Sequence, residues 1–176
     1  MDDHQFTDIM EQATAVLDTV ALETYPATQH TAAVDEQIAR VCAVFQAASA
    51  EQREVIRWAL TTHQRNVLGR YGHRAAMLAI RERSPARLRS GLAAVALACT
   101  ADDDDRDVMV GVALHYHAAV HLGLLPAELF NQAANYAEPP VAELFRTFGA
   151  RHDVTLAAFG WQQIATERGP AFTPRE

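Results

Sequence analysis

Apolar residues recur at every third or fourth position along most of this chain, from about residue 6 to about residue 150. That spacing puts them on one face of an α-helix, so it predicts a series of amphipathic helices. The predicted helices lie near residues 6–24, 32–47, 50–83, 85–100, 105–123, 126–137 and 139–149. The expected fold class is therefore all-α, either an irregular helical bundle or a short α-solenoid of about seven helices.

The segment 50–83 is the longest of these stripes, and two interpretations of it are open. Ser49 and Gln52 form the capping-box pattern, in which a hydroxyl and an amide each bind a backbone N–H at the start of a helix. The apolar stripe then stays in phase across Thr61-Thr62. One long helix and two helices with Thr62 as N-cap both fit this pattern, and we favour the long helix.

Two glycines, Gly69 and Gly72, interrupt this stripe. Each costs about 1 kcal/mol of helix propensity relative to Ala. A neighbouring helix that crosses closely at these positions would explain both. The next boundary is sharper, because Ser84 has the form of an N-cap and Pro85 suits the first helical position.

Beyond residue 160 the pattern changes from helical to β-compatible. Residues 160–174 predict a small hairpin that packs on the helices through Trp161, Ile164 and Phe172, or else an extended tail whose aromatic rings lie on the bundle. The sequence shows no linker and no segment of distinct amino-acid composition that would indicate a second domain. Residues 1–176 are therefore expected to form a single helical domain.

Cysteine usage and the N-terminal pattern bear on location. The 176 residues include two cysteines, Cys42 and Cys99, each in an aliphatic run, and we interpret both as buried thiols. The first ten residues are acidic and lack the basic and apolar regions of a signal peptide. With no apolar run long enough to span a bilayer, the chain is expected to be a soluble cytoplasmic protein.

The charge pattern limits the kinds of partner. The formal net charge is -7, which disfavours nucleic acid and anionic membranes, since both are bound mainly through cations. One segment, called here the arginine stripe, runs from Arg65 to Arg89 and holds seven arginines and one acid. Arg70, Arg74 and Arg81 are the residues expected to bind another protein with an acidic surface.

The segment 105–123 carries the histidines with the clearest chemistry. His117 and His121 are four residues apart, so they could share a divalent transition metal ion, while His115 lies well round the helix from them. A third ligand would have to come from elsewhere, and HExxH is missing. The alternative is that these histidines lie at the edge of the core and hydrogen-bond across helices, with no cofactor.

Other acidic motifs resemble catalytic signatures incompletely. The run DDDRD matches the DDxxD spacing of isoprenoid synthases, but the chain is too short for their second metal motif. His152-Asp153 resembles the doublet of HD-type phosphohydrolases, but no later Asp follows. Asp104 or Asp105 is expected instead to cap the following helix. Trp58 and Trp161 are interpreted as packing residues.

Taken together, LRSGLAAVALA, RDVMVGVALHYHAAVHLGL and PAELFNQAA resemble a type of short helical bacterial protein that usually has no assigned activity. The resemblance covers roughly residues 49 to 163 and implies an all-helical fold with HEAT-like packing.

The leading functional hypothesis is a non-enzymatic protein-interaction module, acting as an adaptor, a regulator or an immunity-type partner. It depends on the absence of nucleophile and phosphate-loop motifs and on a chain dominated by helix packing. The alternative is a metal-dependent enzyme or small-ligand-binding protein with a pocket beside His117 and His121. A homo-oligomer is compatible with either.

Overall fold

The computed structural model describes residues 3–22, 25, 31–100, 105–150, 161–166 and 169–174. Within these residues the fold is an all-α helical bundle followed by a small hairpin, which confirms the predicted fold class. The helices are α1 (Asp3–Asp18), α2 (Thr31–Ala47), α3 (Ala50–Ala59), α4 (Thr62–Glu82), α5 (Pro85–Ala98), α6 (Asp105–His121), α7 (Pro126–Ala134) and α8 (Pro139–Ala150). The strands are β1 (Trp161–Thr166) and β2 (Gly169–Pro174).

The two strands pair antiparallel, with Trp161 opposite Pro174 and Thr166 opposite Gly169. Their side chains lie outside the described part of the chain. The predicted packing of Trp161, Ile164 and Phe172 on the helices therefore stays a prediction.

The favoured single helix over residues 50–83 is wrong, because the chain leaves the helical conformation at Leu60 and Thr61. Thr61 is extended, with ψ of 161°, and its hydroxyl accepts a hydrogen bond from the backbone N–H of Gln64. The Gln64 side chain in turn accepts from the Thr61 N–H, which completes a capping box. The N-cap of α4 is therefore Thr61 and not Thr62, and the box at Ser49 is confirmed at the start of α3.

Helices α4 and α5 cross closely at Gly72 and Gly91. A Cβ added at Gly72 would lie 2.6 Å from Cγ2 of Val95 and 3.0 Å from the carbonyl oxygen of Gly91. At Gly69 the nearest atom would be Cβ of Ala98, at an ordinary 4.0 Å. The predicted close crossing is thus confirmed for Gly72 but is wrong for Gly69.

The α4–α5 pair separates two groups of buried apolar side chains. One group lies between this pair and α6, α7 and α8, with Phe130 and Phe145 fully buried. The other lies between the pair and α1, α2 and α3, with Phe45 and Ile38 fully buried. Both α4 and α5 contribute to each group, so they form the centre of the bundle.

Several predicted boundaries are confirmed by local geometry. Ser84 caps α5, accepting from the backbone N–H of Arg87 at 3.2 Å, with Pro85 in the first turn. Gly123 follows α6 with a φ of 69°, a conformation that glycine adopts without strain. The side chains of Asp104 and Asp105 lie outside the described residues. Among the helices described, none has both the length and the apolar character needed to cross a membrane.

Candidate functional sites

Arg74, one of the three predicted partner-binding arginines, lies in an ion pair inside the bundle. Its Nε donates to Oδ2 of Asp35 at 3.0 Å, and Arg87 Nη1 lies 4.0 Å from the same oxygen. Asp35 belongs to α2 and is 3% exposed. Its other oxygen, Oδ1, accepts from the hydroxyl of Tyr25 at 2.7 Å. The carboxylate is satisfied on both oxygens, as a buried charge requires.

This network has a structural role. It joins the turn after α1 to α2, α4 and α5 through Tyr25, Asp35, Arg74 and Arg87. Burial raises the pKa of Tyr25 far above its usual range, and the hydrogen bond to the Asp35 carboxylate raises it further. Tyr25 therefore stays protonated and continues to donate.

Arg70 and Arg81 differ in how far internal contacts hold them. Arg70 Nη1 donates to the backbone carbonyl oxygens of Leu22 and Tyr25, the second at 3.3 Å. Arg81 is exposed, and its Nη2 lies 3.4 Å from Oε1 of the neighbouring Glu82. The partner-binding role of the stripe stays a prediction, but Arg81 is the member of the predicted set that is directed mainly to solvent.

His117 and His121 lie on the same side of α6, as predicted. Their ring centroids are 6.3 Å apart, with His117 half-buried and His121 exposed. Burial lowers the pKa of His117, and the nearby His121 lowers it further. In the part of the chain that is described, no group of three His, Cys, Asp or Glu side chains is arranged to hold a metal ion. His152, one of the possible third ligands, lies outside that part.

His115 is separate from this pair and is fully buried. Its Nδ1 lies 2.7 Å from the carbonyl oxygen of Gly111, which can only accept, so Nδ1 carries the proton. Nε2 is then unprotonated, faces Gly91 and has no hydrogen-bond partner among the described residues. Burial lowers the pKa of this ring to about 4. His115 is a neutral core residue.

A cavity of about 620 Å³ lies between α4, the end of α5 and the start of α6. We call it the α4–α5 cavity. Its lining includes Arg65, Arg70, His73, Gly69 and Cys99. Neither His117 nor His121 lines it. Both thiols are predicted to be buried. This is confirmed for Cys42, whereas Cys99 is only half-buried.

Helix α3 exposes two large apolar side chains. Trp58 is 82% exposed and Val55 is 64% exposed. Three residues apart, they lie on one face of the helix, together with the exposed carboxylates of Glu51 and Glu54. We call these four residues the α3 surface. The interpretation of Trp58 as a packing residue is wrong.

The two arginines of α3 are partly buried and contact neighbouring parts of the protein. The Arg53 guanidinium lies 4.4 Å from the ring centroid of Tyr136, and its Nε donates to the carbonyl oxygen of Phe45 at 3.2 Å. Arg57 Nη1 donates to the carbonyl oxygen of Tyr136. These contacts tie α3 to the end of α2 and to the segment that follows α7. The helix therefore presents its acidic and aromatic side chains outward, and its orientation is fixed.

The sequence contains a signal for this surface that the packing interpretation missed. Trp58 follows Ile56 by two residues, which is about 200° round a helix. Since Ile56 is buried, the same stripe that predicts the core places Trp58 opposite to it. The contacts of Arg53 and Arg57 with Tyr136 span about 80 positions of sequence and carry no local signal.

Comparisons of this chain with models of protein families, with curated proteins and with solved structures found no match. The chemistry of its own residues is therefore the basis for a functional proposal.

Proposed function

We propose that this chain is a non-enzymatic protein-interaction module and that the α3 surface is its binding site. The observation that carries the proposal is the 82% exposure of Trp58 beside Val55. Large aromatic side chains are enriched among the residues that dominate protein–protein binding, because they bury much apolar area at little entropic cost. A solvent-exposed tryptophan on a well-capped helix has that character.

The α3 surface is preorganised for binding. A capping box closes the start of α3, and Arg53 and Arg57 hold its inner side against Tyr136. A partner would therefore not have to order this helix, which lowers the entropic cost of association. The conformational freedom left to lose is that of the exposed side chains.

Charge specifies the class of partner. Glu51 and Glu54 flank the apolar pair, and the chain as a whole has a formal net charge of -7. A complementary partner is a protein with an apolar pocket bordered by Lys or Arg. The internal contacts of Arg70 and Arg74 favour this surface over the arginine stripe and its acidic partner.

A cytoplasmic location belongs to the same proposal. It suits two cysteines that are not bonded to each other.

A photo-crosslinking experiment in the native host tests the proposal. A benzoylphenylalanine residue replaces Trp58 in one variant and the exposed Glu143 of α8 in a matched control. We expect a product with one other protein from position 58 and none from position 143. The crosslinked peptide of that protein should contain apolar residues flanked by Lys or Arg. With the partner identified, Trp58→Ala should weaken binding by about 30-fold, which corresponds to about 2 kcal/mol.

Charge variants distinguish specific binding at the α3 surface from non-specific hydrophobic association. Neutralising the surface with Glu51→Gln and Glu54→Gln should reduce the crosslinked product, whereas Glu36→Gln with Glu143→Gln removes equal charge elsewhere and should not. A product made of two copies of this chain, a link to its own C-terminal segment, or equal products from both positions would contradict the proposal.

A further inference from the structure

Among the described residues, eleven line the α4–α5 cavity, and their side chains give it an apolar floor and a cationic rim. They are Thr62, Arg65, Asn66, Gly69, Arg70, His73, Val95, Ala98, Cys99, Thr100 and Val108. Its volume of about 620 Å³ falls within the range of small-molecule sites, which is about 300 to 1,000 Å³.

Small residues keep the floor of the cavity open. Among the described atoms, a Cβ on Gly69 would meet nothing closer than Ala98 Cβ at 4.0 Å, so packing against the described part of α5 does not require a glycine there. Gly72, one turn further on, is in backbone contact with α5. Gly69 therefore lines open space, which is apolar along Val95, Ala98 and Val108.

The rim is cationic. No acidic residue is among the described residues of the lining, and Arg65 and Arg70 are both held by neutral carbonyl oxygens. Arg65 Nη1 donates to Leu97 and Ala98 at 3.5 and 3.4 Å, and Arg70 Nη1 donates to Tyr25 at 3.3 Å. Carbonyl contacts fix the position of a guanidinium without cancelling its charge, and each guanidinium has five donors.

We propose that this cavity binds a small organic anion, a carboxylate with an apolar portion. The carboxylate lies against Arg65 and Arg70, and the apolar portion lies along Val95, Ala98 and Val108. Arginine suits a carboxylate because its planar fork can donate two parallel hydrogen bonds. This site is separate from the α3 surface, and the proposal does not rest on the proposed protein-interaction function.

Calorimetric titration of the full chain with hexanoate tests the proposal. Two control ligands separate the contributions. Acetate has the carboxylate but almost no apolar portion, and 1-hexanol has the apolar portion but no charge. We expect hexanoate to bind with a Kd of about 1 mM or lower and at least about tenfold more tightly than either match. No binding of hexanoate at millimolar concentration, or equal binding of hexanol, would overturn the proposal.

Variants locate the binding. Arg70→Gln should weaken hexanoate binding by about tenfold, the worth of one charged hydrogen bond, and Arg70→Lys should weaken it less. Gly69→Leu should abolish binding by filling the floor, and it favours the helix, so folding is retained. Arg81→Gln removes an exposed charge of the same helix outside the cavity and should have no effect. Equal binding by Gly69→Leu and the unaltered chain would overturn the proposal.

Two further measurements test the effect of the nearby aspartates on hexanoate binding and the position of the bound anion. Asp102 to Asp105 follow Thr100 in the chain, with side chains outside the described residues, and replacing them with Asn should leave hexanoate binding unchanged or tighter. Weaker binding would overturn the role of the arginines.

Hexanoate should also slow alkylation of Cys99, which lines the cavity, and leave that of the core residue Cys42 unchanged. Unaltered alkylation of Cys99 at saturating hexanoate would place the anion elsewhere.

Discussion

At the scale of single residues, His115 shows how burial decides the state of a titratable group. Its ring is enclosed by α4, α5 and α6, with Gly91 on one side and Gly111 as its hydrogen-bond acceptor. His73 faces it from α4 and disfavours a positive charge, although burial is the larger cause. The folded protein therefore holds His115 neutral, and its pKa falls from 6.5 to about 4.

This shift makes stability depend on pH with a definite sign. Between pH 6.5 and 4 the unfolded chain binds a proton at His115 that the folded chain does not, so acid favours unfolding. The free energy of unfolding should be fully retained above pH 6.5 and should lose about 3 kcal/mol from this residue by pH 4. Urea unfolding across that range measures the loss. His115→Gln, or His115→Leu if the amide is poorly accommodated, should flatten the slope.

The matched control for this prediction is His121→Gln on the exposed side of the same helix. It should leave most of the slope in place. An unaltered slope in both His115 variants would show that the ring titrates normally and is not held neutral by the fold. The sequence predicts that His115 is separate from the pair at 117 and 121, but its burial depends on three helices meeting at glycines, which no local pattern records.

At the scale of helices, sequence prediction succeeds where the signal is local. The capping boxes of α3 and α4 have the same pattern, Ser49 with Gln52 and Thr61 with Gln64. The second was missed because the apolar stripe runs in phase through it. The physical reason is that Ile56, in α3, and Val67, in α4, bury against the same group of side chains. Periodicity reports which face is buried, and the caps report where each helix ends.

Gly69 and Gly72 give a matched pair of substitutions in one helix. Gly72→Ala should lower the free energy of unfolding by about 1 to 3 kcal/mol, because the new Cβ would lie 2.6 Å from Val95 and 3.0 Å from the backbone of Gly91. Gly69→Ala should raise it by about 0.5 to 1 kcal/mol, because the methyl group would meet no described atom closer than 4.0 Å and Ala favours the helix. Urea titration of both variants measures the two changes.

The opposite signs are what this pair tests. Equal destabilisation by both substitutions would mean that α5 also lies close to Gly69, and the α4–α5 cavity would then be narrower than described. Equal stabilisation would mean that the two helices can separate at Gly72 without loss of packing.

At the scale of the whole molecule, the pattern of apolar residues predicts an all-α bundle because the periodicity of each helix is visible in its own local sequence. It does not predict which charges meet. Asp35 and Arg74 are 39 positions apart, and Arg74 was expected to face a partner when it in fact neutralises a buried carboxylate. The place of α4 and α5 at the centre of the bundle is likewise a long-range property. It bears on the prediction that the chain is one domain.

That prediction can be tested by the cooperativity of unfolding. Since α4 and α5 belong to both buried groups, loss of either group would expose an apolar face of this central pair, so the two groups should unfold together. Native-state hydrogen exchange should then give the slowest amides of α2 and α8 the same opening free energy. Ile38→Val in α2, a loss of about 1 kcal/mol, should lower both values equally although α8 lies across the central pair. Phe145→Leu in α8 is the reciprocal control and should lower the α2 value by the same amount as the α8 value. A substitution that lowers the opening free energy on its own side of α4 and α5 alone would show two independently unfolding units in place of one domain.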